Sequence, residues 1–186
     1  MKRIVSGGLI GGLVLFIWGM IAHLALPLGS AGISFLPQEE STVEALKKTV
    51  PLSGFYMFPS QDQSMPPAER EQVWREKYKE GPVGLILFYP EGWDPMSGSK
   101  MGTQLLSEIL AAMVASYLLT LIGGTFWSRT FFVTLLGSLP WLAISVPYWN
   151  WYGYPSSLTL ATLISLIVGW FLMGIVLNAT AMKKAE

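Results

Sequence analysis

The sequence predicts a membrane all-α fold: a four-transmembrane-helix bundle with a small α+β extracytoplasmic cap inserted between helices 1 and 2. Two observations lead to this prediction. Of the 186 residues, 52% are hydrophobic and only 13% are charged, whereas a soluble domain usually carries about a quarter charged residues. The chain also contains four apolar runs, each close to the ~20 residues that a helix needs to cross a bilayer.

The apolar runs cover approximately residues 4–26, 104–124, 130–148 and 158–180. The first run follows Lys2 and Arg3, as a signal peptide would. It is longer than the apolar core of a signal peptide, which is usually about 7–15 residues. The sequence therefore favours an uncleaved transmembrane helix over a signal peptide.

Basic residues orient these helices because short cytoplasmic loops are enriched in Lys and Arg. If all four runs span the membrane, five basic residues fall on one side: Lys2, Arg3, Arg129, Lys183 and Lys184. The turn after the third run carries no charge. We therefore expect helix 1 over 1–26, an extracytoplasmic cap over 27–103, helices 2–4 over 104–182 and a cytoplasmic tail over 183–186. Both termini would then be cytoplasmic.

The cap is patterned like a folded segment. "PQEESTVEALKKTVP" and "PPAEREQVWREKYKEGP" place acidic residues early, basic residues late and proline at the ends, which is typical of short helices. "GFYMFP" and "VGLILFYP" are typical of short strands. Two strands alone usually pair antiparallel, so we expect two short helices and an antiparallel pair of short strands.

Glycines mark a packing face on the first helix. Gly7 and Gly11, like Gly8 and Gly12, have the GxxxG spacing that lets another helix approach closely. That face is either the seam of a dimer or larger complex, or the contact with the protein's own fourth helix. The sequence favours the internal contact because four helices must first pack on one another.

Ionisable residues within membrane helices often mark functional sites. His23 lies near the end of the first apolar run, and Glu108 lies about one turn inside the second. Antiparallel topology would bring both to a similar depth, where they could pair to bind a proton or a cation. The alternative, which we favour from sequence alone, is that both reach lipid headgroups or the cap.

Aromatic residues are dense in "PYWNWYGYP" at residues 147–155. Trp and Tyr concentrate at membrane interfaces, so a membrane belt explains most of this cluster. The density around Asn150 leaves a second interpretation open, in which Trp149, Asn150, Trp151 and Tyr152 form a platform that stacks on a headgroup, a sugar or the outer cap.

Metal-binding and catalytic signals are weak. The chain has no cysteine and one histidine, which excludes thiolate and multi-histidine metal sites. Met57, Met65, Met96 and Met101 are soft donors of the kind that hold Cu(I). Without a neighbouring histidine cluster they are read as ordinary packing residues. No nucleophile or phosphate-binding motif is present, so we expect no enzyme activity, no cofactor and no metal. The zero net charge argues against nucleic acid.

The order of "GGLIGGLVLFIWG", "EGP", "YPEG", "PYWNWYGYP" and "LIVGWFLMGIVL" resembles an uncharacterised group of small bacterial four-span integral membrane proteins. The resemblance covers most of the chain and implies a location in the bacterial inner membrane. It implies no activity.

The sequence favours a non-catalytic accessory or assembly subunit that acts in the lipid bilayer through helix–helix and outer-cap contacts. It would associate with a membrane-protein partner or with a second copy of itself. The alternative is a small carrier or sensor for a lipid, proton or metal ion, using the aromatic cluster with His23 and Glu108.

Overall fold

The computed structural model describes residues 1–181. These residues form two compact units, one built from Met1–Ile33 with the chain from Pro95 onward, the other from Ser34–Asp94. The predicted cytoplasmic tail at 183–186, with Lys183 and Lys184, lies outside the described residues. The elements in chain order are α1 (Lys2–Met20), α2 (Glu39–Thr49), β1 (Gly54–Phe58), α3 (Pro67–Glu80), β2 (Gly84–Phe88), α4 (Gly98–Leu121), α5 (Phe126–Pro140), α6 (Val146–Tyr152) and α7 (Ser156–Ala179).

Four helices of the first unit are long and apolar enough to cross a membrane, as the sequence predicts. They cover Lys2–Ala25, Gly98–Leu121, Phe126–Tyr152 and Ser156–Ala179. The second begins earlier than expected because the Ser97 hydroxyl accepts a hydrogen bond from the Lys100 backbone N–H and caps the helix. The third continues past residue 148 as α6 and ends where Gly153 takes a left-handed conformation, with φ of 70°.

Two of these long helices contain a π-helical turn. The first helix ends in one at Ile21–Ala25, where the Leu26 N–H donates to the Ile21 carbonyl at 3.0 Å. The other, Trp141–Ser145, follows Pro140 and joins α5 to α6. Such turns recur at functional sites in helical proteins. The turn of the first helix carries His23, which directs attention to that end of the molecule.

The long helices of this unit contact one another unequally. Helix α1 lies against α4 and α7, and α7 lies against α5, whereas α4 and α5 touch very little. Several of the buried side chains of this unit are small. Ala112, Ala115 and Val133 are fully buried, and they lie beside Leu119 and Met173. Small residues let helix backbones approach closely, which is the main source of attraction between helices in lipid.

The unit at Ser34–Asp94 contains the predicted two helices and two strands. Strands β1 and β2 pair antiparallel, with Gly54 opposite Phe88 and Phe58 opposite Gly84, which confirms the expected pairing. Trp74 of α3 donates its indole N–H to the carbonyl of Pro59, the residue that follows β1, at 3.1 Å. No described residue of this unit is buried, because four short elements enclose little volume.

Candidate functional site

A cavity of about 410 Å³ lies where the end of α1 meets the start of α4. We call it the His23 cavity, and all of its lining residues belong to the helical unit. The side chains that carry chemistry in it are Met20, His23, Met96, Lys100, Met101, Gln104 and Glu108. The two helices run antiparallel here, because Gly8 faces Met113 while Gly12 faces Ile109.

His23 sits in the π-helical turn with one ring nitrogen engaged. Its Nδ1 lies 3.0 Å from the Gly19 carbonyl oxygen. A carbonyl only accepts hydrogen bonds, so Nδ1 carries the proton in this arrangement. The neutral ring then presents Nε2 as a lone-pair donor to a ligand.

Glu108 has one satisfied and one unsatisfied oxygen. The Gln104 amide donates to Oε1 at 2.7 Å. Oε2 is buried and has no hydrogen-bond partner among the described residues. A buried polar atom without a partner costs roughly 1–3 kcal/mol, and more when it is charged. The Glu108 carboxylate is therefore poised to take a proton or a cation.

His23 and Glu108 do not bond to each other, and each bonds within its own helix instead. They are nevertheless neighbours, since both line the His23 cavity and a second cavity of about 280 Å³ beside it. Gly19 lies between them: a Cβ added there would meet Glu108 Oε1 at 3.7 Å, an ordinary contact distance. The structure thus brings together the two ionisable residues that the sequence singled out.

The sequence analysis did not include Gln104, Met20 or Lys100 in this site. Gln104 lies four residues before Glu108, a spacing that places both on one helix face. The sequence could therefore have indicated Gln104 as a neighbour of Glu108. Met20 lies three residues before His23, on the same face of the first helix. The partnership of these two faces depends on which helices pack together, and apolar runs alone do not determine that.

The aromatic cluster does not join the His23 cavity. None of residues 149–152 lines either of the two cavities that contain His23 and Glu108. They lie in α6, where Trp151 is 76% exposed and Asn150 is also exposed. Trp149 donates its indole N–H to the Ser156 hydroxyl at 3.0 Å, and Tyr152 packs edge-on against Tyr148. Trp149 and Tyr152, three residues apart, lie on one face of the helix, whereas Asn150 and Trp151 point in other directions.

The glycine face of α1 is occupied inside the protein. A Cβ at Gly12 would lie 2.6 Å from the Ile109 backbone Cα, and one at Gly8 would lie 2.1 Å from the Met113 side chain. Gly7 and Gly11 are buried as well. The second membrane helix supplies the nearest atoms at Gly8 and Gly12, whereas Gly11 faces both Ala112 of the second membrane helix and Met173 of the fourth.

A buried polar cluster near the opposite end of the helices was not anticipated from sequence. The Asn178 amide donates to the Thr130 hydroxyl at 3.1 Å and to the Gly174 carbonyl at 2.9 Å. Arg129 is buried, and its guanidinium donates to the Leu119 carbonyl at 3.2 Å. These bonds link the third membrane helix to the second and fourth. Asn178 was readable as a polar residue within an apolar run.

Among the described residues, no group of three or more His, Cys, Asp or Glu side chains comes together as a metal site. Comparison with known proteins adds no assignment: no family model, no curated protein and no solved structure matches the chain.

Proposed function

We propose that this is a non-catalytic membrane protein that senses a proton or a small monovalent cation at the His23 cavity. The observation that carries the proposal is Oε2 of Glu108, which is buried beside the cavity without a hydrogen-bond partner. A proton or cation bound to that oxygen removes the cost of the unpaired acceptor. His23 supplies a second lone pair on the same cavity.

The charges around the cavity favour a monovalent ligand. Glu108 contributes one carboxylate to the lining, and none of the other described lining residues is an Asp or a Glu. A single carboxylate balances the charge of a monovalent ion but only half the charge of a divalent one. A sensor is favoured over a carrier because the ionisable groups lie near one end of the helices, whereas transport sites typically lie near the bilayer midplane at broken helices.

The test is ligand-dependent thermal stability of the purified chain in detergent. Wild-type protein should be stabilised by lowering the pH, or by adding one of Na⁺, K⁺ and Ag⁺. The variant Glu108→Gln should lose that response, since its neutral amide cannot take the ligand's charge. Glu80→Gln is the matched control, because Glu80 is an exposed carboxylate at the end of α3 in the segment 34–94. An unchanged response in Glu108→Gln would refute the proposal.

An accessory role through the segment 34–94 is the second candidate. Three apolar side chains on one face of its sheet are exposed: Phe55 at 64%, Met57 at 45% and Leu87 at 60%. Within the described residues, β1 and β2 form a two-stranded sheet, so each has one unpaired edge. Unpaired strand edges and apolar patches are typical of partner-binding surfaces. Stoichiometric co-purification of a membrane protein, lost in Phe55→Ser/Leu87→Ser, would support this role. A lone homo-oligomer would favour the sensor.

We further propose a four-helix bundle in the bacterial inner membrane, with both termini cytoplasmic and the segment 34–94 on the outside. The one-sided distribution of basic residues supports this orientation. Single cysteines at Ser64 and Ser156 should react with an impermeant thiol reagent in intact cells, and a cysteine at Ala185 should not. Labelling of the Ala185 position from outside would overturn the topology.

A further inference from the structure

Thioether sulfurs are concentrated on the same cavity. Met20 lies at the end of α1, Met96 just before α4 and Met101 in the first turn of α4, and all three line the His23 cavity. They are also accessible, with exposures of 38%, 58% and 37%. A methionine that merely fills space in the core looks different: Met173 is fully buried.

From these residues we propose that the His23 cavity binds Cu(I), with the sulfurs of Met20, Met96 and Met101 and Nε2 of His23 as ligands. The proposal rests on the sensing site proposed above and names its ion. Thioethers are soft, uncharged donors that select Cu(I) over harder cations. Methionine has several rotatable bonds, which lets its sulfur adapt to an ion in a cavity that it lines.

The hydrogen bond of His23 is an independent indication of a ligand. Metal-binding histidines almost always donate their second ring N–H to a carbonyl or carboxylate, which fixes the tautomer and the ring orientation. The Nδ1 contact with the Gly19 carbonyl at 3.0 Å is of this kind. It leaves Nε2, the nitrogen farther from the helix backbone, to bind the ion.

The types of ligand and the charge of the site also favour Cu(I) over other metals. The chain has no cysteine, and no described cluster of three or more His, Asp or Glu side chains offers Zn²⁺ its usual ligand set. The Glu108 carboxylate is part of the same lining and would meet the single charge of Cu(I), as the sensing site requires.

The test is metal titration of the full-length chain in detergent. Ag⁺ serves as a redox-inert stand-in for Cu(I), and Cu(I) itself is delivered from a competing chelator. We expect one ion per chain by elemental analysis, together with a raised unfolding temperature. Zn²⁺ and Ca²⁺ should neither bind nor compete.

The informative variant is Met96→Leu/Met101→Leu, because leucine keeps the volume of the side chain and removes the sulfur. The affinity for Cu(I) should fall by more than about 100-fold, because loss of one supporting residue already costs about 10–100-fold and this variant loses two ligands themselves. Met65→Leu is the matched control, a methionine of the segment 34–94 that does not line the cavity. His23→Phe should weaken binding similarly.

The outcomes separate the two proposals. Unchanged Cu(I) affinity in Met96→Leu/Met101→Leu, or equal competition by Zn²⁺, would overturn the copper site. If a pH or Na⁺ response that depends on Glu108 survives in that variant, the sensing site stands with a different ion. If Cu(I) binding depends on the methionines while Glu108→Gln changes no response, the copper site stands and the role of Glu108 falls.

Discussion

The two units of this protein are held together in different ways. In the helical unit, Ala112, Ala115 and Val133 are fully buried, and glycines bring backbones into direct contact. In the segment 34–94 no described residue is buried, and many of the hydrogen bonds are local, such as Arg75 with Glu71 and Lys48 with Glu44. From this difference we expect the stability of the helical unit to depend mainly on close packing between helices. We expect the stability of the segment 34–94 to depend more on polar contacts near its surface.

The largest effect should come from filling a backbone contact in the helical unit. In Gly12→Ala the new Cβ would lie 2.6 Å from the Ile109 Cα, and the backbone cannot rotate away as a side chain can. We expect a loss of about 1–3 kcal/mol, the usual cost of overpacking. Thermal or SDS-induced unfolding in detergent measures it.

Two other glycines calibrate that result. Gly102→Ala in α4 meets nothing within 4 Å, so it should be neutral or stabilising by up to about 1 kcal/mol through helix propensity. Gly8→Ala meets the Met113 side chain, which can move, and should cost less than Gly12→Ala. Equal losses at all three positions would show that helix insertion, and not close packing, is being measured.

These glycines also show how far the sequence reaches. Their spacing predicts a close contact, and the contact is present, yet the sequence nominated the fourth helix as partner where the structure has mainly the second. Apolar runs locate helices because hydrophobic length is a local property. The pairing of helices depends on the complementarity of whole faces, which no single run encodes.

The bounds of the helices and the residues of the site were also only partly predictable from the sequence. Lys100 is charged, so a hydropathy criterion begins the second helix only at residue 104, although the Ser97 cap begins it at Gly98. His23 and Glu108 were readable as ionisable residues in apolar runs. Met96 and Met101 were noted in the sequence as methionines of the segment between the first two membrane helices. Met20 lies near them because α1 packs against α4, a pairing that the sequence did not predict.

The next effect concerns the segment 34–94. Trp74→Phe keeps a ring to pack against Tyr78 and removes the hydrogen bond to the Pro59 carbonyl. A lost hydrogen bond of this type costs about 1 kcal/mol. Hydrogen exchange should therefore quicken at the amides of β1 and β2, while α1 and α4 keep their protection. Equal acceleration in both units would contradict their separate origins of stability.

A smaller effect is expected for the polar contact within the helical unit. Asn178→Ala and Thr130→Val each remove one side of the bond between the fourth and third membrane helices. A double-mutant cycle should give a coupling of about 0.6 kcal/mol, the average for such bonds in membranes, since the alternative partners available in lipid reduce its worth. A coupling above about 2 kcal/mol would contradict the view that shape dominates this unit.

The smallest effect lies at the open end of the two-stranded sheet, where Gly54 pairs with Phe88. Just beyond that pair the Ser53 hydroxyl donates to Glu91 Oε2 at 2.7 Å. This hydrogen bond, helped by the Glu91 backbone N–H, holds the pKa of Glu91 below its usual value of 4.5. Because the folded pKa is the lower one, the contribution to stability is complete above pH 4.5 and is lost as the pH falls through the folded value.

Ser53→Ala should therefore bring the pKa of Glu91 back toward its ordinary value and remove that acid-range dependence. NMR titration of the side-chain carboxyl carbons measures both. Asp62 is the internal control, because its pKa is lowered by a different pair of donors, the hydroxyl and the backbone N–H of Ser64. It should titrate identically in wild type and variant. If Glu91 also titrates identically, the sheet end is not closed by this contact, and polar bonds near the surface do less in this unit than the comparison implies.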